Sequence, residues 1–314
     1  MIYDVIIVGA GPAGLTAAAN TSLRGLASLV IEKQDSPGGL PTLLYPNKII
    51  RDHPGFPVGI LGKELSRMLS IQANNADAEI KLGEEVLAIS RNDNDIIEVR
   101  TDQDKYQGKR VILCTGIYNI PRKLDALKRY KGPNVHYKVV HPEIFKNKKL
   151  VIVGGGDNAF DTAVQINEFA ESTTILVKNR YAKAKDRTVK EAEDQGVKIF
   201  YNTDIVKFVR DGNGKIVKIQ ISNQETGEKR VLDAEEIFVA IGFEPIVSFL
   251  AKNGFKIKRE GSIKVDKNLQ TNIKGVFAAG DVTGEIRLIA TACSEGIMAA
   301  VHAFETIKKP YWLR

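Results

Sequence analysis

The hydrophobic pattern opens with a short apolar run, Tyr3 to Val8, which a glycine-rich turn, Gly9 to Gly14, brings to a close. A stretch of small residues follows to about Arg24, and Gly25 is placed to stop it. This order predicts strand, turn and helix, the helix starting near Pro12. A second apolar run, Ser28 to Ile31, predicts another strand and ends at Glu32. Farther on, "EEVLAISR", "DIIEVRTD" and "KRVILCTG" alternate apolar and polar positions and predict strands. The segments "NDND" and "DQDKYQG" between them read as turns.

The same order then returns. Leu150 to Val153 predicts a strand, Gly154 to Ala159 a glycine turn, the next residues to about Ala170 a helix, and Thr174 to Val177 a strand. "DIVKFVRD", "GKIVKIQIS" and "KRVLDAEEIFVAIG" predict an antiparallel ribbon with "DGNG" as a hairpin turn. Near the end, "GVFAAGD" predicts a strand closing on a Gly-Asp turn, and "LIATACSEGIMAAVHAFETI" an apolar helix behind it. The pattern therefore predicts an α/β chain of two Rossmann-like, three-layer dinucleotide-binding domains, one inserted in the other. The outer domain is expected at 1–115 and 245–314 and the inserted one at 116–244. Gly116 and Gly242 at the crossings would permit a hinge.

The repeated turn carries chemistry. In G-x-G-x-x-G the first glycine allows a tight turn, the second lets the backbone approach a pyrophosphate, and the third packs helix on strand. The helix N-terminus adds free N–H groups and a partial positive charge. Gly9, Gly11 and Gly14 fit outright, and Gly154, Gly156 and Ala159 fit the variant. The strand after each turn separates the two sites. Glu32 stands where ribose hydroxyls are held. The equivalent strand end after Gly156 is "LVKNR", with Lys178 and Arg180, and Lys183 and Lys185 close behind. Cations there suit a 2′-phosphate, so the expected ligands are FAD at the first turn and NADPH, rather than NADH, at the second.

Composition narrows the class. The 314 residues are 43% hydrophobic and 26% charged, a soluble globular balance. A formal charge of +7 favours an acidic partner, a polyphosphate ligand or nucleic acid, in no fixed order. The chain has no recognisable nucleic-acid module and no aromatic–basic alternation. Two distant cysteines, Cys114 and Cys293, form no C-x-x-C, so neither a dithiol of that type nor a thiolate metal cluster is expected. The uncharged run Val5 to Leu23 is broken by Gly9, Gly11, Pro12 and Gly14 and is not expected to span a membrane. A cytoplasmic setting fits.

At "GAGPAG", "PGGL", "CTG", "GGGDNA" and "GVFAAGD" the sequence resembles the thioredoxin reductase family of two-dinucleotide flavoproteins. "GGLPTLLYPNKIIRDHPGFP", "VHYKVV" and "RLIATACSEGIMAAV" are similar to its ferredoxin–NADP+ reductase branch. The resemblance implies a homodimer. It also implies that FAD contacts Gly9, Gly11, Pro12, Ala13, Gly14, Glu32, Lys33, Gly38, Gly39, Leu40, Tyr45, Asp52, Thr115, Gly116, Asp281, Leu288 and Ile289. Tyr45 would stack on the isoalloxazine ring, and Asp281 would lie near the ribityl chain. NADPH would contact Gly154, Gly155, Gly156, Asp157, Asn158, Lys178, Arg180, Lys185 and Gly242. The family's C-x-x-C is missing, which excludes thioredoxin reduction by a dithiol. That branch has a longer C-terminal extension over the flavin, whereas this sequence stops at "KKPYWLR" and leaves a covering role for Tyr311 or Trp312 open.

The expected function is an FAD enzyme passing electrons between NADPH and an acidic iron–sulfur carrier such as ferredoxin, in either direction. The flavin performs the chemistry, so no side chain is named as catalytic and no metal is expected. His53, His136, His141 and His302 read as surface or packing residues. Two rivals stand beside this reading. One is an oxidase or a quinone or dye reductase without a protein partner, and the other is a low-turnover flavin-binding redox sensor.

Overall fold

The computed structural model describes residues 1–92, 94–116, 118–139, 142–245, 247–284 and 286–313, apart from the side chains of 118–120, 244, 245 and 312. His141 and the side chain of Trp312 lie outside the described residues.

The chain begins with strand β1 (Ile2–Val8) and helix α1 (Pro12–Ser22), followed by β2 (Ser28–Ile31). Helix α2 (Gly62–Asn75), β3 (Glu79–Lys81), β4 (Val86–Arg91), β5 (Ile97–Thr101) and β6 (Lys105–Leu113) come next. After the first crossing come β7 (Val135–His136), β8 (Lys149–Val153), α3 (Asp157–Ile166), β9 (Ser172–Leu176), α4 (Asp186–Asp194) and β10 (Lys198–Phe200). A ribbon of β11 (Thr203–Arg210), β12 (Ile216–Asn223) and β13 (Lys229–Asp233) leads to β14 (Glu236–Val239). The chain then returns for β15 (Val276–Ala278) and α5 (Ile289–Glu305). It divides into two compact units, Met1–Asn119 with Pro245–Arg314, and Ile120–Glu244.

In the first unit the sheet order is β3-β2-β1-β6-β5-β4. β1 pairs in parallel with β2 and β6, and β2 with β3. The long strand β6 serves two neighbours along its other edge. Its first half pairs antiparallel with β5, and its last residues, Val111 to Leu113, pair in parallel with β15. Strand alternation sorts the core onto the two faces. Val5, Ile7, Val30 and Ile112 meet Leu15 and Ala18 of α1 and Ala299, Ala303 and Phe304 of α5. Ile6, Val8, Leu29, Val111 and Leu113 pack beneath Val99, Tyr106 and Phe255 on the other face.

The inserted unit repeats the plan with a five-stranded parallel sheet in the order β7-β14-β8-β9-β10. Leu150, Ile152 and Ile175 face Phe160 and Ala163 of α3. Val151, Val153 and Leu176 face Ile216, Ile219 and Ile221 of the antiparallel ribbon. Helix, sheet and ribbon are the three expected layers. The α/β class and the insertion are as the repeated pattern predicts.

Two details differ from the sequence reading. "KRVLDAEEIFVAIG" does not run as one ribbon strand. β13 pairs antiparallel with β12, whereas β14 joins the parallel sheet beside β8. Burial explains the split, since β13 is mostly exposed and every residue of β14 is buried. A strand buried along its whole length needs both faces covered, which the central sheet supplies and the ribbon does not. Helix α3 also stops at Ile166, short of the expected Ala170, where a turn sets in as Phe169 N–H donates to the Ile166 carbonyl.

Candidate functional site

In the first unit β1, β6 and β15 end together, with Val8 and Ala278 both in register with Leu113. The segments leaving them, Gly9, Cys114 and Gly280, therefore emerge at one edge, the carboxyl end of the strands. Open α/β sheets bind ligands at this edge.

Gly9 has φ 101°. A Cβ on it would stand 2.5 Å from the Cys114 carbonyl oxygen. A Cβ on Gly14 would collide with the Gly9 carbonyl oxygen. Gly11 is different. It caps α1 in extended backbone, and the nearest heavy atom to an added Cβ would be 3.9 Å away. Space has been kept over Gly11 while the turns on either side are closed. Pro12 opens the helix and lacks an N–H of its own, as suits that position.

The other expected residues of this turn gather around it. Gly38 N–H donates to the Ala10 carbonyl at 2.8 Å, and a Cβ on Gly39 would stand 2.9 Å from the Gly11 Cα. Leu40 begins a one-turn helix, Leu40–Leu43. Glu32 is 8% exposed, yet its carboxylate is well partnered. Oε2 accepts from Ala10 N–H at 2.7 Å and Oε1 from Gln34 N–H at 2.9 Å. Each oxygen keeps a lone pair for a further donor. Lys33 faces Glu85 at 3.9 Å, and the Thr115 hydroxyl donates to the Gly116 carbonyl. Asp281 follows Gly280 directly, and burial raises its carboxyl above the usual value, with Arg287 opposing.

Tyr45 is half-buried, with the Lys48 ammonium 5.5 Å from its ring centroid, and Asp52 is exposed. Leu288 and Ile289 form the N-terminus of α5. Tyr311 is mostly exposed, its ring 6.3 Å from that of Phe304.

The second turn has the same steric pattern. Gly154 has φ 148°, and a Cβ there would collide with the Ala240 carbonyl oxygen. Gly156 caps α3 in extended backbone, with the nearest heavy atom to an added Cβ 3.9 Å away. Ala159 is fully buried where the first turn has Gly14. A Cβ on Gly155 would press on the Val177 side chain at 2.7 Å. The basic loop after β9 folds back onto this turn. Lys183 N–H donates to the Gly155 carbonyl at 2.6 Å, and Lys185 N–H to the Asp157 carboxylate at 2.9 Å. Asn158 is half-buried in the first turn of α3, and Gly242 has φ 96° with open space around it.

Two carboxylates absent from the sequence reading stand in this loop. Arg180 is ion-paired with Glu225, and the Lys178 ammonium lies 3.4 Å from Asp204. They come from the ribbon, distant in sequence, and no local motif announces them. Two of the cations that suit a 2′-phosphate, Lys178 and Arg180, therefore already have anionic partners, which a phosphate would have to displace.

Other groups carry structure. His136 and Lys148 share the buried Glu236, at 2.7 and 2.8 Å. His53 Nδ1 is 2.9 Å from the Pro54 carbonyl, and His302 pairs with Glu305. Cys114 is buried and Cys293 half-buried, both unbridged. Among the described residues, no three His, Cys, Asp or Glu side chains could hold a metal ion. Likewise, no helix among them is long and apolar enough to cross a membrane. Both glycine turns fit a pyrophosphate, because each leaves open the one position where a Cβ would block it.

Comparison with known proteins agrees with this geometry. A family model described as pyridine nucleotide-disulphide oxidoreductase matches residues 3–296. The ferredoxin–NADP reductase of Ignicoccus hospitalis is 34% identical over 309 residues, covering 98% of this chain and 99% of that protein. The ferredoxin–NADP reductase of Streptococcus sanguinis is 35% identical, covering 98% and 95%. Among solved structures, T. acidophilum thioredoxin reductase superposes with a TM-score of 0.88 at 29% identity, covering 98% and 99%. Lactococcus lactis thioredoxin reductase gives 0.87 at 29% identity, covering 97% and 99%.

Proposed function

The chain belongs to the pyridine nucleotide-disulphide oxidoreductase family, and from that premise we propose that it is an FAD enzyme moving electrons between NADPH and an acidic one-electron protein carrier, a ferredoxin. The observation that carries this reading is the shared steric pattern of the two glycine turns. Two dinucleotide cradles in one chain call for a hydride to pass between their ligands.

In this reading FAD lies on Gly9, Gly11, Pro12, Ala13 and Gly14, with Glu32 accepting from its ribose. Gly38 to Leu40, Thr115, Gly116, Asp281, Leu288 and Ile289 line the rest, and Tyr45 and Asp52 approach the ring. NADPH lies on Gly154 to Asn158, with Lys178, Arg180 and Lys185 toward its 2′-phosphate and Gly242 behind. When bound, FAD would supply hydride acceptance from NADPH and release of single electrons. The chain's own groups orient and hold.

Three facts support a protein carrier over a disulfide. The two cysteines are unbridged, one buried and one half-buried, and are not spaced as a redox pair. The curated relatives at 34–35% identity carry the name ferredoxin–NADP reductase. The net charge of +7 favours an acidic partner by long-range attraction. A cytoplasmic homodimer belongs to the same proposal.

The test is an anaerobic titration of the purified, FAD-loaded protein with NADPH, followed by oxidised ferredoxin. The flavin band should bleach with NADPH and return with ferredoxin. A band that NADPH does not bleach overturns the oxidoreductase reading. Bleaching that ferredoxin cannot reverse, with rapid reoxidation by oxygen or a quinone, overturns the carrier.

A further inference from the structure

Helix α5 is apolar where it packs on α1, and Glu295 interrupts that run. The next residue, Gly296, is buried so tightly that a Cβ would collide with the Ala13 carbonyl oxygen. Backbone therefore touches backbone at this point. Glu295 itself is half-buried, and a carboxylate partly withdrawn from water beside such a contact takes donors in exchange. Glu295 Oε2 accepts from Gly280 N–H at 2.8 Å and from the Thr283 hydroxyl at 3.0 Å.

Both donors belong to the turn that carries Asp281. Gly280 holds φ 81°, and a Cβ on it would stand 2.9 Å from the Ala13 Cβ. Thr283 is fully buried. The turn is thus closed on one side by the start of α1 and tied by Glu295 on another. The same charge reaches Cys114, whose thiol is pushed up first by burial and then by Glu295. The Cys114 carbonyl oxygen is the atom a Cβ on Gly9 would meet, at 2.5 Å. Glu295 accordingly sits where the glycine turn, the end of β6 and the Asp281 turn converge.

We propose that Glu295 is a positioning residue of the flavin site, fixing the Gly280–Thr283 turn in the conformation that presents Asp281 to the ribityl chain. This rests on the reading that the first cradle takes FAD. Glu295 acts through the turn it holds. Its accepting oxygen is what matters, so glutamine, whose carbonyl oxygen reaches the same donors, should replace it, and alanine should not.

The experiment titrates apoprotein with FAD and follows quenching of flavin fluorescence for the wild type, E295Q, E295A and T283V. E295A should bind FAD about tenfold more weakly, because both hydrogen bonds that hold the turn are lost. T283V removes the hydroxyl alone and should weaken binding about threefold. E295Q should stay within about twofold of the wild type. Should E295A not fold, T283V and E295Q still carry the test. E295A or T283V binding as tightly as the wild type would overturn the proposal, as would E295Q binding as weakly as E295A. Wild-type protein that takes up no FAD would instead overturn the cofactor reading.

Discussion

Gly156→Ala and Gly154→Ala each add one methyl, two residues apart, and the structure separates their effects. Gly156 has φ −100° and ψ 177°, a backbone open to any residue, and an added Cβ would find its nearest heavy atom at 3.9 Å. Removing glycine there restricts the unfolded chain and stabilises by about 0.4–1 kcal/mol. Alanine is a poorer N-cap than glycine by about the same amount. The two offset, and the melting temperature should move by no more than about 4 °C. The free space is where a pyrophosphate would lie. A methyl there pushes the phosphates from the N–H groups of α3 and weakens at least one charge-assisted hydrogen bond, worth about 1.5–3 kcal/mol. NADPH affinity should fall about 10- to 100-fold.

At Gly154 the methyl would collide with the Ala240 carbonyl at φ 148°. Strain at such a position costs about 1–3 kcal/mol, which alone lowers the melting temperature by roughly 2–12 °C, and the overlap lowers it further. Thermal melts and fluorescence titration with NADPH, run on both variants, measure the two quantities. G156A that binds NADPH like the wild type, or that melts as early as G154A, would refute the reasoning.

Four further outcomes follow, three from other contacts and one from the net charge. R180A should raise the KM for NADPH about tenfold and leave that for NADH unchanged, since only the former carries the 2′-phosphate. E225Q, which releases Arg180 from its exposed partner, should lower the NADPH KM about two- to fivefold; equal effects on both coenzymes would count against this loop as the discriminator. Burial raises the Glu236 carboxyl, but the bonds from His136 and Lys148 outweigh it and hold the group below its usual value. A depressed carboxyl stabilises above its unfolded value of about 4.3 and loses that contribution as pH falls through the folded value. E236Q should therefore be about 1–3 kcal/mol less stable at pH 7, with the gap to the wild type narrowing below pH about 4 in urea melts; a gap independent of pH would be the contrary result. Ferredoxin reduction should slow by about an order of magnitude with added salt, while reduction of an uncharged dye stays level. A flat response with ferredoxin would argue against a charged docking face.

The sequence by itself determined the repeated architecture. Val5 to Val8 and Leu150 to Val153 are apolar runs closed by glycines, and short-range sterics leave such a segment little choice but strand, turn and helix. Glu32 was legible for the same reason, since the end of the second strand is fixed by local order. The sequence also named the basic loop after β9. Only the tertiary structure decided what those residues meet. Arg180 finds Glu225 in the turn between β12 and β13, and Lys178 finds Asp204 on β11; no local spacing encodes a partner brought in by packing. The stretch around "KRVLDAEEIFVAIG" looked like one strand because hydropathy does not say which sheet covers a face. Glu295 belongs to no local motif, because its role depends on Gly280 and Thr283 arriving from another strand end. Backbone preference acts over a few residues, whereas burial and charge pairing act between segments that only the folded chain brings together.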